Sequence, residues 1–286
     1  MESIKDKIDR FYNLFSNYNI EGGQNTRYKS WEWCHDAFLK YKKTYNKSNN
    51  EVEKNEIVEF LSLHLAFYLA SWGMYRGSSF LLQRDYKAHK KAVTYVLEKQ
   101  YDVLWNYAPN ETNIENAKHL IFDKDNGIYW RIKKSYEPDI ATETLTTKIL
   151  MGTFGCVPAF DRFLKEGIST YISLNGDVID GSTLNKTIED KRYDTFVALA
   201  KLAIKNKHDF TVSSTFIYPP MKCVDMYLWE IGYELDIANG LISTSNAVAK
   251  KNELLQIAAS LGLCDASLSF EDACRIIKEK NGSTQH

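Results

Sequence analysis

The sequence predicts an all-α protein, and three observations carry that reading. The 286 residues include only 5 prolines and 14 glycines, too few turn-formers for a sandwich or barrel with many hairpins. Apolar residues recur at steps of three and four through much of the chain. Hydrophobic residues make up 44%, aromatics 13% and charged residues 26%, the profile of a chain that folds around a core. A sizeable core can be buried at this length. The expected architecture is a compact multi-helix globular fold over 1–286, as a single helical domain or as two lobes at about 1–135 and 136–286 with a cleft, with a frayed tail over 281–286.

Charge and cysteine usage narrow the function classes. Basic and acidic side chains number 36 and 37, a net charge of −1, so no global field draws the chain onto polyanions and any nucleic-acid site is a local patch. The cysteines at 34, 156, 223, 264 and 274 form no CxxC pair, which fits reduced thiols and neither a disulfide framework nor a zinc site. MESIKDKIDR has no apolar signal region. The most apolar run, Ile57 to Met74, is interrupted by Glu59 and His64 and reads as a core helix, not a membrane span. A cytoplasmic protein with no membrane partner and no metal is expected.

Taken in order, Ile4, Ile8, Phe11 and Phe15 lie on one stripe, so the first eighteen residues form an amphipathic helix. Gly22 and Gly23 break it. Trp31 and Trp33 then stand among Arg27, Lys29 and His35. Such interleaving stacks bases and holds phosphates; the plainer reading is a loop whose tryptophans fold back into the core.

In the next helix Leu61, Leu65, Tyr68, Leu69 and Trp72 make a broad apolar face and the reverse face is scarcely more polar, which places it at the centre of the fold. SWGMYRGSS is read as its continuation, with Gly73 and Gly77 four apart and Trp72, Tyr75 and Arg76 sharing a side. That group lines a pocket for a flat polar ligand, or is a core helix with one satisfied arginine; Arg84 is a further candidate contact. Tyr86 to Tyr107 is predicted as one helix, with Ala92, Tyr95, Val96, Val103 and Leu104 inward. Lys87, His89, Lys90 and Lys91 near its start oppose the macrodipole, as phosphate contacts or as a solvated face. A helix over Asn113 to Phe122 follows, and DKDNG at 123–127 lacks the later glutamate of a calcium loop and reads as a turn.

The functional argument centres on Thr144 to Leu164, TLTTKILMGTFGCVPAFDRFL. Ile140, Thr144, Leu145, Ile149 and Met151 pack a helix that enters a loop at Gly152, and Gly155 permits a positive φ or a close approach. Pro158 is expected at the first position of the next helix, with Asp161 in its first turn and Arg162 beside it. A carboxylate held ionised there can serve as a general base or an electrostatic stabiliser.

A helix, a glycine loop, and then a proline and an aspartate at the head of a helix resemble the helix-hairpin-helix DNA glycosylase superfamily, through VPAFD, Val157 to Asp161, over about twenty residues. The resemblance implies a helix-hairpin-helix fold that grips DNA backbone, here at Gly152 and Gly155, and hydrolysis of an N-glycosidic bond. It implies Asp161 as the catalytic carboxylate and Lys148 as the nucleophilic lysine some members use. With no four-cysteine cluster near the C-terminus the iron–sulfur branch is excluded, and no cofactor is expected.

After Gly167, ISTYISLNGDVIDGSTLN fits a small hairpin or an irregular loop. A helix from about Lys186 to Lys207 turns Ile188, Phe196, Leu199, Ala203 and Ile204 inward, and Pro219 and Pro220 open another. On it Lys222, Asp225 and Trp229 share a face, as a pocket wall or an i, i+3 ion pair. Helices at about 245–261 and 270–280, the second capped by Ser269, close the bundle.

Two functional readings follow. One is a DNA-binding enzyme that extrudes a base, stacks it on Trp72 or Tyr75, acts through Asp161 and Lys148, and contacts base or phosphate through Arg76, Arg84, Arg162 and Lys222. The other is a non-catalytic helical binding module for a nucleotide, a modified base or a protein partner.

Overall fold

The structure is a computed structural model that describes residues 3–15, 29–175 and 192–243, with single positions between 255 and 276. Among the described residues all regular structure is helical and no strand occurs. No helix among them is long and apolar enough to cross a membrane. The chain clusters into two units, Met1–Phe160 with Ser182–Met226, and Asp161–Gly181 with Tyr227–His286.

In the first unit α1, Ile4–Phe15, buries Ile8 and Phe11. The tryptophan segment expected as a loop is the start of a helix, α2, Ser30–Lys47. Trp31 goes into the core and Trp33 stays 46% exposed, because only one of two residues two apart can face inward on a helix. Asn50 caps α3, Glu51–Ser71, by accepting from the Val52 N–H. Leu61, Leu65 and Leu69 of α3 are fully buried.

α3 does not continue through SWGMYRGSS. It ends in a Schellman cap: Gly73, at φ +73°, donates to Ala70 O, and Met74 donates to Leu69 O at 2.8 Å. Trp72, Tyr75 and Arg76 therefore lie in a turn and not along a shared helical side. Tyr86 to Tyr107 is likewise broken. A 3₁₀ turn at Tyr86–His89 leads into α4, Lys90–Val96, and a second 3₁₀ segment spans Lys99–Leu104. The β-branched run Val93, Thr94 and Val96 sits at the end of α4, where propensity is weakest.

α5, Ile114–Phe122, and α6, Ile128–Lys134, flank the DKDNG turn, in which Asp123 accepts from the N–H groups of Asp125 and Asn126. α7, Glu143–Thr153, is capped by the Thr142 hydroxyl, which accepts from Leu145 N–H. It approaches α3 so closely that a Cβ on Gly152 would lie 2.4 Å from the Tyr68 ring. Pro158 does not restart a helix. The amides of Ala159 and Phe160 are instead taken by the Asp225 carboxylate and the Thr147 hydroxyl, and this stretch is not helical. α9, Arg192–Lys205, packs on α5, and α10 opens at Pro220, as expected.

In the second unit Asp161 is the N-cap of α8, Arg162–Asn175, accepting from Leu164 N–H. Residues 168–175, expected as a hairpin or loop, extend this helix; residues 176–185 lie outside the described set. α10, Pro220–Ser243, contributes its later turns. Gly167 and Gly232 sit where α8 and α10 cross: a Cβ on Gly167 would stand 1.7 Å from Leu228 O, and one on Gly232 2.0 Å from Phe163 O. Beside them Phe163, Trp229 and Tyr233 form a ring cluster with centroids 4.9–5.5 Å apart. Of the two helices expected near the C-terminus most residues fall outside the described set, but Ser269 does accept from Asp272 N–H.

The glycine crossing gives a quantitative expectation. Gly232→Ala drives a methyl into a backbone carbonyl and should cost about 3 kcal/mol or more. Gly77→Ala, at φ +61° with no neighbour within 4 Å, should cost only the left-handed strain, about 1 kcal/mol. Urea denaturation of both variants beside the parent checks the contrast; equal midpoints would refute it.

Candidate functional site: an arginine turn beside a buried lysine pair

Apart from Asp161 and Arg162, the candidate residues lie in the first unit. Its most unusual feature is two lysines in the core. Lys148, on α7, is 2% exposed and Lys222, in the first turn of α10, is 3% exposed. Their amines stand 4.6 and 5.2 Å from the centre of the Trp72 ring. The Lys222 amine is also 5.4 Å from Trp31 and 5.7 Å from Phe11.

Aromatic faces offer a desolvated cation partial compensation. The rest comes from Asp225. Its Oδ2 accepts from Lys222 Nζ at 2.8 Å, and its Oδ1 accepts from Ala159 N–H at 2.8 Å. The i, i+3 pair legible in the sequence therefore exists, and it is buried.

Around this centre the neighbouring polar groups are spent on structure. Trp31 Nε1 donates to Met151 O, and the His35 ring stacks on Trp31 with centroids 4.9 Å apart. His35 Nδ1 lies 2.6 Å from Thr153 O, a group that only accepts, so Nδ1 carries the proton. Burial lowers the pKa of His35 and keeps the ring neutral. Tyr218 donates to Glu32 at 2.6 Å.

A cavity of about 470 Å³ opens between the turn that follows α3 and the start of α7, lined by Gly73, Arg76, Ser79, Phe80, Ile140 and Thr142 among others. Arg76 is exposed and its guanidinium folds back over Gly73, where a Cβ would meet Nε at 2.9 Å. Among the described residues it has no carboxylate partner. Two hydroxyls in the wall accept backbone caps, Ser79 from Leu81 N–H and Thr142 from Leu145 N–H, and so keep their own hydrogens to donate. Phe80, Leu145 and the 81% exposed Ile140 supply apolar surface. Leu145 is one helical turn before Lys148 on α7, and Trp72, whose ring both amines face, directly precedes Gly73.

Tyr75 turns from the cavity into a relay. Its hydroxyl lies 2.7 Å from His89 Nε2, and Tyr136 Oη lies 2.6 Å from His89 Nδ1. Burial drives the His89 pKa down to about 4 and the Tyr75 hydroxyl up to about 12.

The remaining sequence candidates fall elsewhere. Asp161 belongs to the second unit as a helix cap, and the exposed Arg162 beside it pairs with Asp236 at 2.7 Å. Arg84 pairs with Asp139 at 2.7 Å on the surface. Gly152 and Gly155 are buried, the latter at φ +70° beneath Pro219. The structure thus brings Trp72, Lys148 and Lys222 together, with Arg76 at the neighbouring cavity. Asp225, a pocket wall or ion-pair residue by its spacing, is the ion-pair partner, and His89, a phosphate contact or solvated residue by its place in the sequence, is buried between two tyrosines; Ser79 and Thr142 enter the site without a sequence expectation, their available signal being a capping residue before a helical turn. No cluster of three or more potential metal ligands occurs among the described residues.

Compared with known proteins, the chain matches no family model, no curated protein and no solved structure.

Two stability tests follow from this geometry. Asp225→Ala leaves a buried ammonium without its carboxylate and should cost about 3–5 kcal/mol. Lys222→Met with Asp225→Asn, which keeps an acceptor for Ala159, should restore most of that in denaturant unfolding; no recovery would refute the pairing as the source. His89 has a folded pKa of about 4, below its ordinary 6.5, so the fold favours the neutral ring. Its contribution is complete above pH 6.5 and is lost as pH falls through 4, about 3 kcal/mol in all. His89→Gln should flatten the slope of unfolding free energy against pH across that window.

Proposed function

We propose that the chain is a helical binding module for an anionic ligand with a flat ring, of the nucleotide or nucleic-acid class, and that the cavity beside Arg76 receives it. The observation that carries the reading is an arginine without a carboxylate partner among the described residues at the wall of a 470 Å³ cavity. That volume suits a small ligand. A guanidinium is the side chain best shaped for a phosphate or carboxylate, and the Ser79 and Thr142 hydroxyls add donors. Phe80, Leu145 and Ile140 offer apolar faces to a ring.

A base-excision glycosylase is the second reading, and the observation favouring it is Lys148, an amine in an aromatic, water-poor setting beside Trp72. An amine there is a candidate nucleophile. Asp161, the other member of that chemistry, accepts from its own helix instead.

One experiment separates the two. Mononucleotides and labelled single-stranded and duplex DNAs are titrated at several salt concentrations, with base release measured in the same mixtures. The binding reading expects saturable binding that weakens with salt and drops at least tenfold in Arg76→Ala, with no base released. Release abolished by Lys148→Gln would establish the glycosylase, and binding of neither ligand class at low salt would overturn both.

A further inference from the structure

The outer face of α3 is built to be covered. Its inner face is core, yet on the opposite side Phe60, Leu63 and Phe67 are 39, 54 and 52% exposed, and Ala70 is exposed with them. A solvated helix face is ordinarily polar. From Phe60 to Trp72 the sequence FLSLHLAFYLASW has no Asp, Glu, Lys or Arg. Neighbouring rings widen the patch: Trp33 of α2, 46% exposed, stacks on Phe67 with centroids 6.1 Å apart, and Tyr41 lies 4.7 Å from Phe60.

The spacing of the exposed residues identifies the occupant. Positions 60, 63, 67 and 70 advance by three, four and three, the alternation of a heptad repeat that lets one helix seat its side chains between those of another. The order of sizes is large, medium, large, small. In an antiparallel pair of α3 helices related by a two-fold axis at the middle of the seam, Phe60 meets Ala70 of the other copy and Leu63 meets Phe67. Every layer then sets a larger side chain against a smaller one, and the same four residues serve both copies, as an isologous interface requires.

Charge points the same way. The nearest exposed acid on α3, Glu56, lies beyond the Phe60 end, so an antiparallel pair carries the two copies of this charge to opposite ends while a parallel pair would press them together. They would also be repelled by an anionic membrane, whose surface attracts cations. Asp36, Lys40 and Lys43, exposed along α2, supply both signs for a polar rim.

We infer that the protein forms a two-fold symmetric homodimer in which α3 packs antiparallel on α3 of a second copy through Phe60, Leu63, Phe67 and Ala70. This inference is independent of the ligand reading.

Sedimentation velocity of the full chain over a concentration series tests it, with helicity checked by circular dichroism. The expected result is a monomer–dimer equilibrium whose dissociation constant rises at least tenfold in Phe67→Glu and again in Leu63→Glu, both folded because these side chains already meet solvent. Val52→Glu, equally apolar and 65% exposed on the same helix but outside the seam, should leave the equilibrium unchanged. A parent chain that stays monomeric at the highest concentration overturns the inference, as does a dimer that survives both seam substitutions.

Discussion

The carboxylate of Asp225 ties together parts of the chain that are far apart in sequence. One oxygen holds the Lys222 ammonium in the first turn of α10, and the other accepts from Ala159 in the stretch between α7 and α8. Without that acceptor the 157–160 stretch would lose one of its two side-chain anchors, the other being Thr147. Without the anion Lys222 would be an uncompensated charge in the core. The Pro158 loop, the entry of α10 and the Trp72 ring all meet at this buried ion pair.

A buried pair of this kind gains little net stability over an apolar pair of similar volume. It gains register. Hydrophobic contacts tolerate sliding by a fraction of a turn, whereas a carboxylate that must meet an ammonium and an amide at once tolerates almost none. Lys148 has its amine against Trp72 on the same side of α7 that carries Leu145 into the cavity wall. Arg76, in the cavity wall, faces solvent, whereas the two lysines are buried.

Helices are readable where apolar residues keep a 3.6 period, as in α1 and α7, or where prolines suit the first turn, as in α10. The reading failed where a local backbone choice overrode a smooth apolar run. Nothing in the pattern of SLHLAFYLASWGMYRG separates a helix through Gly73 from one that ends there; the signal was a glycine followed by an apolar residue, the mark of a Schellman cap. VPAFDRF was read with Pro158 as the helix start, although an aspartate directly before a helical stripe is itself a start signal, and that signal prevailed. The i, i+3 spacing of Lys222 and Asp225 was legible, but their burial was not. Burial depends on Trp72, Lys148 and Ala159 arriving from other elements, and sequence spacing carries no information about such meetings.

The cap at Gly73 has a mechanical consequence. It closes the last turn of α3 with two backbone hydrogen bonds, so the Arg76 turn is joined to the helix without a slack linker. Ala70 on the outer face and Gly73 in the cavity wall are then separated by a single hydrogen-bonded turn. Thermodynamic reciprocity fixes the form of any coupling between them: whatever factor an occupied cavity applies to the covering of the outer face, covering that face applies to the affinity of the cavity.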